Sequence, residues 1–327
     1  MEQTKIRKWR WGVNRWVILF FVILGIIGAN LYPPVSPHIQ VAAEKISVKP
    51  LFVLPVLGEI YLTNTMLAML LVDVILILIV FMVQAAIRSG SLVPKGITGA
   101  VEALFEALYG MTEGAAGSKW ARVIFPYFAI IMLFVLVANF SKLLPGFETI
   151  GILHSSDHGM PVQQLATNVY TVIKGEAAPG EGYSVVGFFR GLPTDLNFTV
   201  ALAIFSVFMT QVIGVRAQGL KYFVQKFFNV LNIFSKPGFG VIDFAVSILE
   251  LISEFAKILS FSFRLFGNMF AGLVLLILIG SMLPVFAQSG VLLFELFIGL
   301  IQAFVFGILT MVFMSQAVAS HDGGDHH

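Results

Sequence analysis

Seven residues climb one face of a single apolar stretch: Glu250, Ser253, Lys257, Ser260, Arg264, Asn268 and Gly272. They recur at intervals of three or four, which sets them on one side of a helix. Glu254 lies beside this line. The flanking Phe261, Phe263, Leu265 and Phe266 suit lipid or protein surroundings, so the stripe is not a solvated face. It must meet a partner, an aqueous cleft or both. Arg264 is the extreme member. A central arginine costs about 2.5–3.5 kcal/mol on membrane-insertion scales. Glu and Lys can shed their charge, but a guanidinium cannot. On the next apolar stretch Glu295 and Gln302 lie seven residues apart and share a face. Such groups can move an ion through an apolar medium: carboxylates take it up and release it, on either side of a fixed positive charge. Asp73 stands alone in an earlier apolar stretch. A polar contact with a neighbouring helix explains it as simply as a part in ion transfer.

The surrounding chain must be a set of membrane helices. Of 327 residues, 58% are hydrophobic and 12% charged, with no cysteine. Mean hydropathy is +0.92. An ordinary soluble domain carries roughly 25% charged residues. These values exclude a soluble enzyme, a disordered chain and a nucleic-acid binder, and they leave no thiolate metal site or disulfide. A bilayer core of about 30 Å takes about 20 apolar residues of helix. Candidate spans are Trp16–Tyr32, Met66–Ala86, Val123–Asn139 and Phe198–Val215, with a fifth within Gly240–Leu283 and a sixth within Gly290–Ala319. Basic residues cluster in alternate segments: Lys5, Arg7, Lys8, Arg10 and Arg15; then Arg88, Lys95, Lys119 and Arg122; then Arg216, Lys221, Lys226 and Lys236. The positive-inside rule makes these cytoplasmic, with both termini, and puts the 141–197 loop outside.

Other segments read more simply. In 94–117, Val101, Leu104, Phe105 and Leu108 recur at helical spacing, with Glu102, Glu106 and Glu113 on other faces. This is an amphipathic helix at the membrane surface, or a plain linker helix. The basic start and first span also fit a signal peptide, but Ile27 stands where cleavage wants a small residue, which favours a retained helix. The halves show no internal repeat. The expected division is 1–60, a basic segment with an extra helix and outer loop; 61–320, the main membrane domain; and 321–327, a disordered His-rich tail. No cofactor or metal site is expected.

Ser262-Phe263-Arg264-Leu265-Phe266-Gly267-Asn268-Met269-Phe270-Ala271-Gly272 resembles the signature of subunit a of the F-type ATP synthase. Three further runs resemble segments of that family: Ile301 to Phe306 in its last helix, Asn139 to Pro145, and Pro193 to Thr199, which opens the following helix. The resemblance spans roughly residues 60–320. It implies an all-α integral membrane protein whose last two helices form a long hairpin facing a rotor ring. It implies that Arg264 is the essential arginine beside the ring carboxylates. Asn268, Gln302 and Glu295 match positions on the outer half-channel, and Glu250, Ser253, Lys257 and Ser260 match the cytoplasmic side. Asn139, Asp195 and Asp73 are outer-path candidates. The implied partners are the c-ring subunits, peripheral-stalk subunit b and the rest of the complex, in the bacterial cytoplasmic membrane. The chain itself would be non-catalytic, with protons as the default ion.

The sequence departs from that pattern at the outer path. Leu273 stands where many members have an acid, Glu295 where many have His, and Lys142 where the family has an acid. One ionisable group then replaces a pair. Asp73, His154, Asp157 or His158 are candidates for the second. The competing function is a secondary transporter or channel that uses Arg264 to bind an anionic substrate. The linked motifs favour the first reading, and a transporter would want broken helices or internal symmetry. A membrane enzyme lacks support, because the chain carries no HExxH, GxSxG or Walker-type run.

Overall fold

The computed structural model describes residues 11–31, 41–55, 58–88, 96–220, 226–227, 239–282 and 286–319, except 48, 145, 174, 176 and 179. Six α-helices run through them: α1 (Trp11–Leu31), α2 (Asn64–Arg88), α3 (Ile97–Ser141), α4 (Leu196–Gln218), α5 (Phe239–Met282) and α6 (Phe286–Val318). Five carry stretches long and apolar enough to cross a membrane; in α1 the apolar part, Arg15–Gly28, is shorter. The protein is thus an all-α integral membrane protein. Lys5, Arg7, Lys8, Arg10, Lys221, Lys236 and the 321–327 tail lie outside the described residues.

The amphipathic segment and the third span are one continuous element. Gly117 divides α3, with φ 75 and ψ 161, a left-handed backbone that suits a residue without Cβ. The break lets the first half fold back on the second. Leu108 is buried there with Ile124, Phe128, Met132, Ile213, Met311 and Met314. The amphipathic face therefore packs on helices of its own chain.

Glycines on α6 bring α3 close. A Cβ on Gly307 would stand 2.8 Å from Met132 Cβ, and one on Gly299 would stand 3.1 Å from Asn139 Cβ. Small residues at such crossings let backbones approach where lipid supplies no hydrophobic drive. The Ser206 and Thr310 hydroxyls bond at 2.8 Å and tie α4 to α6. Phe261 of α5 packs its ring 5.0 Å from that of Phe306 on α6. At 1.5 Å per residue, the 44 residues of α5 extend about 66 Å. That is about twice the hydrocarbon thickness, so α5 is more than long enough to span it. Its outer face, with Phe255, Leu259 and Phe263, is exposed, as are Phe297, Leu300 and Phe304 on α6.

Small strands decorate the connections, a feature not anticipated. Strands β1 (Phe52–Leu54) and β2 (Gly58–Ile60) pair before α2. The loop between α3 and α4 holds β3 (Gly151–Met160), β4 (Val162–Ala166), β5 (Val169–Val172) and β6 (Tyr183–Gly187). Strand β3 pairs antiparallel with β6, Gly151 opposite Gly187, and β4 pairs with β5. The β4–β5 turn passes through Asn168 at φ 62, a conformation Asn tolerates.

Candidate functional site

Arg264 lies mid-way along α5 and is half-buried. Its Nη2 donates to Ser260 Oγ at 3.2 Å, one turn earlier. Its Cζ lies 6.0 Å from the Phe261 ring centroid. Among the described residues the ion pairs are Lys142–Glu295, Lys226–Glu254 and Lys257–Glu254. Arg264 forms none of them.

Beyond Arg264, toward the end of α5, the helices gather a polar cluster. Asn268 Nδ2 donates to Gln302 Oε1 at 2.8 Å, joining α5 to α6. Asn139 Nδ2 donates to the Gly299 carbonyl at 2.8 Å, joining α3 to α6. The Glu295 carboxylate lies against Gly272, where a Cβ would come within 2.6 Å of Oε1. Gly272 is therefore the space that Glu295 occupies. Lys142 Nζ stands 3.3 Å from the same Oε1, with both side chains nearly sealed. The pair is held by charge and proximity: Oε1 has no hydrogen-bond donor among the described residues. Asn139 Oδ1 and Gln302 Nε2 are buried without partners too. Leaving such atoms unpaired is costly, and grouping three of them marks a polar lining within an apolar bundle.

Next to this cluster stands Glu148, which the sequence reading passed over. It is half-buried, and its Oε1 accepts the Gly191 N–H at 3.0 Å. Burial pushes its carboxyl above the ordinary value; the Gly191 N–H, Lys142 and Arg190 pull it down, and Glu295 adds a smaller push up. No local pattern announces this residue. It gains its surroundings because the β-strands of the loop return Gly191 to it.

On the other side of Arg264, toward the start of α5, a cavity of about 190 Å³ opens among α4, α5 and α6. Glu250, Glu254, Lys257, Lys226, Thr210 and Gln211 line it. Glu254 Oε1 takes hydrogen bonds from Lys257 at 3.0 Å and Lys226 at 3.2 Å. Glu254 was read only as lying beside the stripe, yet it is the better buried acid and the hub of the cleft. Ser253 is exposed, and Ser260 serves Arg264.

The remaining candidates are placed as follows. Asp195 caps α4 by accepting the Asn197 N–H at 3.0 Å, and its other oxygen accepts from Thr65 Oγ1 at 3.0 Å. Both oxygens are thus committed to holding α4 and α2. Asp73 is half-buried on α2, with no described ion pair or hydrogen bond. His154 lies in β3 opposite Ser184; the side chains of Asp157 and His158 lie outside the described residues. Among the described residues no three His, Asp or Glu side chains gather as a metal site would need.

Comparison with known proteins gives the family. The family described as ATP synthase A chain matches residues 66–315. ATP synthase subunit a of Mycobacterium ulcerans is 28% identical over 222 residues, 68% of this chain and 72% of its own. ATP synthase subunit a of Helicobacter pylori is 28% identical over 215 residues, 64% of this chain and 72% of its own. A relative from Propionigenium modestum, described as sodium ion specific, is 28% identical over 189 residues, 56% of this chain and 51% of its own. With most of its length matched and five long apolar helices, the chain belongs to the ATP synthase A chain family, the membrane subunit a of F-type ATP synthases.

Proposed function

We propose that the chain is the stator subunit that carries protons past the rotor, through two half-channels offset across the membrane and separated by Arg264. The carrying observation is the order of charges along α5. Glu254 lies ten residues before Arg264 and Gly272, which seats Glu295, lies eight after it. At 1.5 Å per residue these are about 15 Å and about 12 Å in opposite directions. The cytoplasmic cavity and the outer cluster therefore stand apart along the helix, and between them is a guanidinium that forms no ion pair among the described residues.

The physics of that order is direct. A carboxylic acid on a passing rotor subunit meets the guanidinium more favourably after losing its proton. The same charge repels protons that would cross straight through. Flow then goes by way of the rotor, and rotation follows. The c-ring covers the exposed Phe255, Leu259 and Phe263 side of the hairpin, lipid and peripheral-stalk subunit b meet other faces, and ATP chemistry belongs to the soluble head. Glu250 and Lys257 line the cytoplasmic exit, while Asn268, Gln302, Asn139 and Glu295 line the outer approach. The setting is a bacterial cytoplasmic membrane with both termini inside. Residues 61–320 form the working domain, and 1–60 add a helix and an outer loop.

The test is Arg264→Ala in the reconstituted complex. ATP synthesis driven by an ion gradient is lost, while the head still hydrolyses ATP. Native coupled synthesis in this variant would overturn the assignment.

A further inference from the structure

Glu148 is the buried-side acid that the two half-channels above do not use. It lies six residues past Lys142, beyond the end of α3. The Lys142 stem and Glu148 Oε1 both border the Gly191 backbone, 3.3 Å and 3.4 Å from where a Cβ would stand. Lys142 then reaches on to Glu295 at 3.3 Å. The sequence of groups is Glu148, Lys142, Glu295, from a half-buried loop to a sealed helix face against Gly272. The charges that face Glu148 are Lys142 from the end of α3, Arg190 from the segment after β6, and Glu295 from α6. Arg190 is itself anchored to the Ala42 carbonyl at 2.7 Å and to Thr194 Oγ1 at 3.2 Å.

Two cations face two carboxylates here. With both acids ionised the four charges cancel, so one added proton has two seats. A purely structural network would lock each acid with aligned donors. Here Glu295 Oε1 lacks a donor, and Lys142 is close without being aligned. The ammonium is held to Glu295 by charge and not by an aligned hydrogen bond.

Resting on the proton-translocating reading, we infer that Glu148 is the outer proton acceptor that supplies Glu295, with the Lys142 ammonium shared between the two carboxylates. A hydronium ion outside gives its proton to a Glu148 oxygen, forming an O–H bond and leaving water. Lys142 then compensates Glu295 alone. The Glu148 O–H bond breaks as a proton passes along hydrogen-bonded water to Glu295, where a new O–H bond forms. Glu148 is again a carboxylate, and Lys142 turns toward it. Once the proton is aboard, the net charge of the cluster stays the same through the transfer, so the step between the two carboxylates separates no further charge. This gives the outer path its second titrating group, although Leu273 is apolar and Lys142 replaces an acid.

The experiment uses the whole complex in proteoliposomes, with ATP synthesis driven by an imposed gradient and the pH of the outer side varied. Glu148→Gln keeps an oxygen for the Gly191 N–H but cannot titrate. It should slow synthesis about 10-fold or more and flatten the dependence on outer pH. Glu148→Asp should retain synthesis with a displaced outer-pH profile. A native rate and profile in Glu148→Gln overturns the inference. Where the Gln variant fails to assemble, the Asp variant decides: a displaced profile supports the relay and a native one overturns it. Arg264→Ala measured alongside separates the two readings. If it abolishes coupling while Glu148→Gln is native, only this inference falls. If it leaves coupling intact, the underlying assignment falls.

Discussion

Gly272→Ala is the sharpest small perturbation of the outer cluster. The added Cβ would stand 2.6 Å from Glu295 Oε1, whereas ordinary contact begins at 3.4 Å. The carboxylate must therefore withdraw by about 0.8 Å. It has little room, because its side chain is nearly sealed beside Lys142. Overpacking of this kind costs about 1–3 kcal/mol. At 1.4 kcal/mol per tenfold, proton delivery through Glu295 should fall by about 5-fold to 100-fold. ATP-driven proton pumping in vesicles reads this, with ATP hydrolysis as the reference. Gly290→Ala, on α6 with nothing within 4 Å of its Cβ, should pump normally. A compensating change exists. In Gly272→Ala with Glu295→Asp, loss of one carbon draws the carboxylate back by about 1.5 Å, more than the clearance required. The double variant should pump faster than Gly272→Ala alone. Equal pumping in Gly272→Ala and Gly290→Ala, or a double variant no better than the single, would refute the claim that Gly272 makes room for Glu295.

Asp195→Ala removes the α4 cap and the tether to Thr65 together; the solubilised complex should lose about 1–2 kcal/mol from the cap alone, seen as a lower unfolding temperature. Glu254→Gln should weaken its hold on Lys226 and Lys257 and slow proton release to the cytoplasm in gradient-driven synthesis, with outer uptake unaffected; unchanged kinetics would remove Glu254 from the exit. The Glu148 carboxyl is raised by burial, so the folded protein holds that proton more tightly than the unfolded chain. Its contribution to stability is full below the ordinary Glu value of 4.5 and is lost as pH rises through the folded value. Thermal unfolding against pH should therefore show a falling limb above that point, which Glu148→Gln flattens.

Much of this was legible in the chain itself. The three-and-four spacing from Glu250 to Gly272 announced one polar helix face, and α5 bears it out as a single helix. The ends of α2, α4 and α6 lie within a few residues of the hydropathy boundaries. What stayed hidden depends on contacts between distant segments. Lys142 read only as a lost acid, because its meeting with Glu295 requires the end of α3 to lie against the first third of α6, and glycine spacing alone does not specify that contact. Glu148 had no motif, since Gly191 reaches it through strands formed by a segment too polar and Gly-rich to interpret. Glu254 was overlooked because Lys226, one of its partners, lies in a separate segment after α4. Gly117 broke α3 by a backbone angle that composition does not reveal.

The pairing of Gly151 with Gly187 has a practical side. The chain leaves the membrane bundle and returns to it at nearly one point, like a stem bearing a leaf. The hairpin of β4 and β5, closed by the Thr167–Asn168 turn, falls in sequence between the two strands of that stem. A bulky label or fiducial fused at this turn would be carried outside the machine without pulling on the bond that holds Glu148 to Gly191. On the proposed orientation, the outer face of the subunit thus comes with a built-in handle, by which a working complex can be gripped, tracked or oriented.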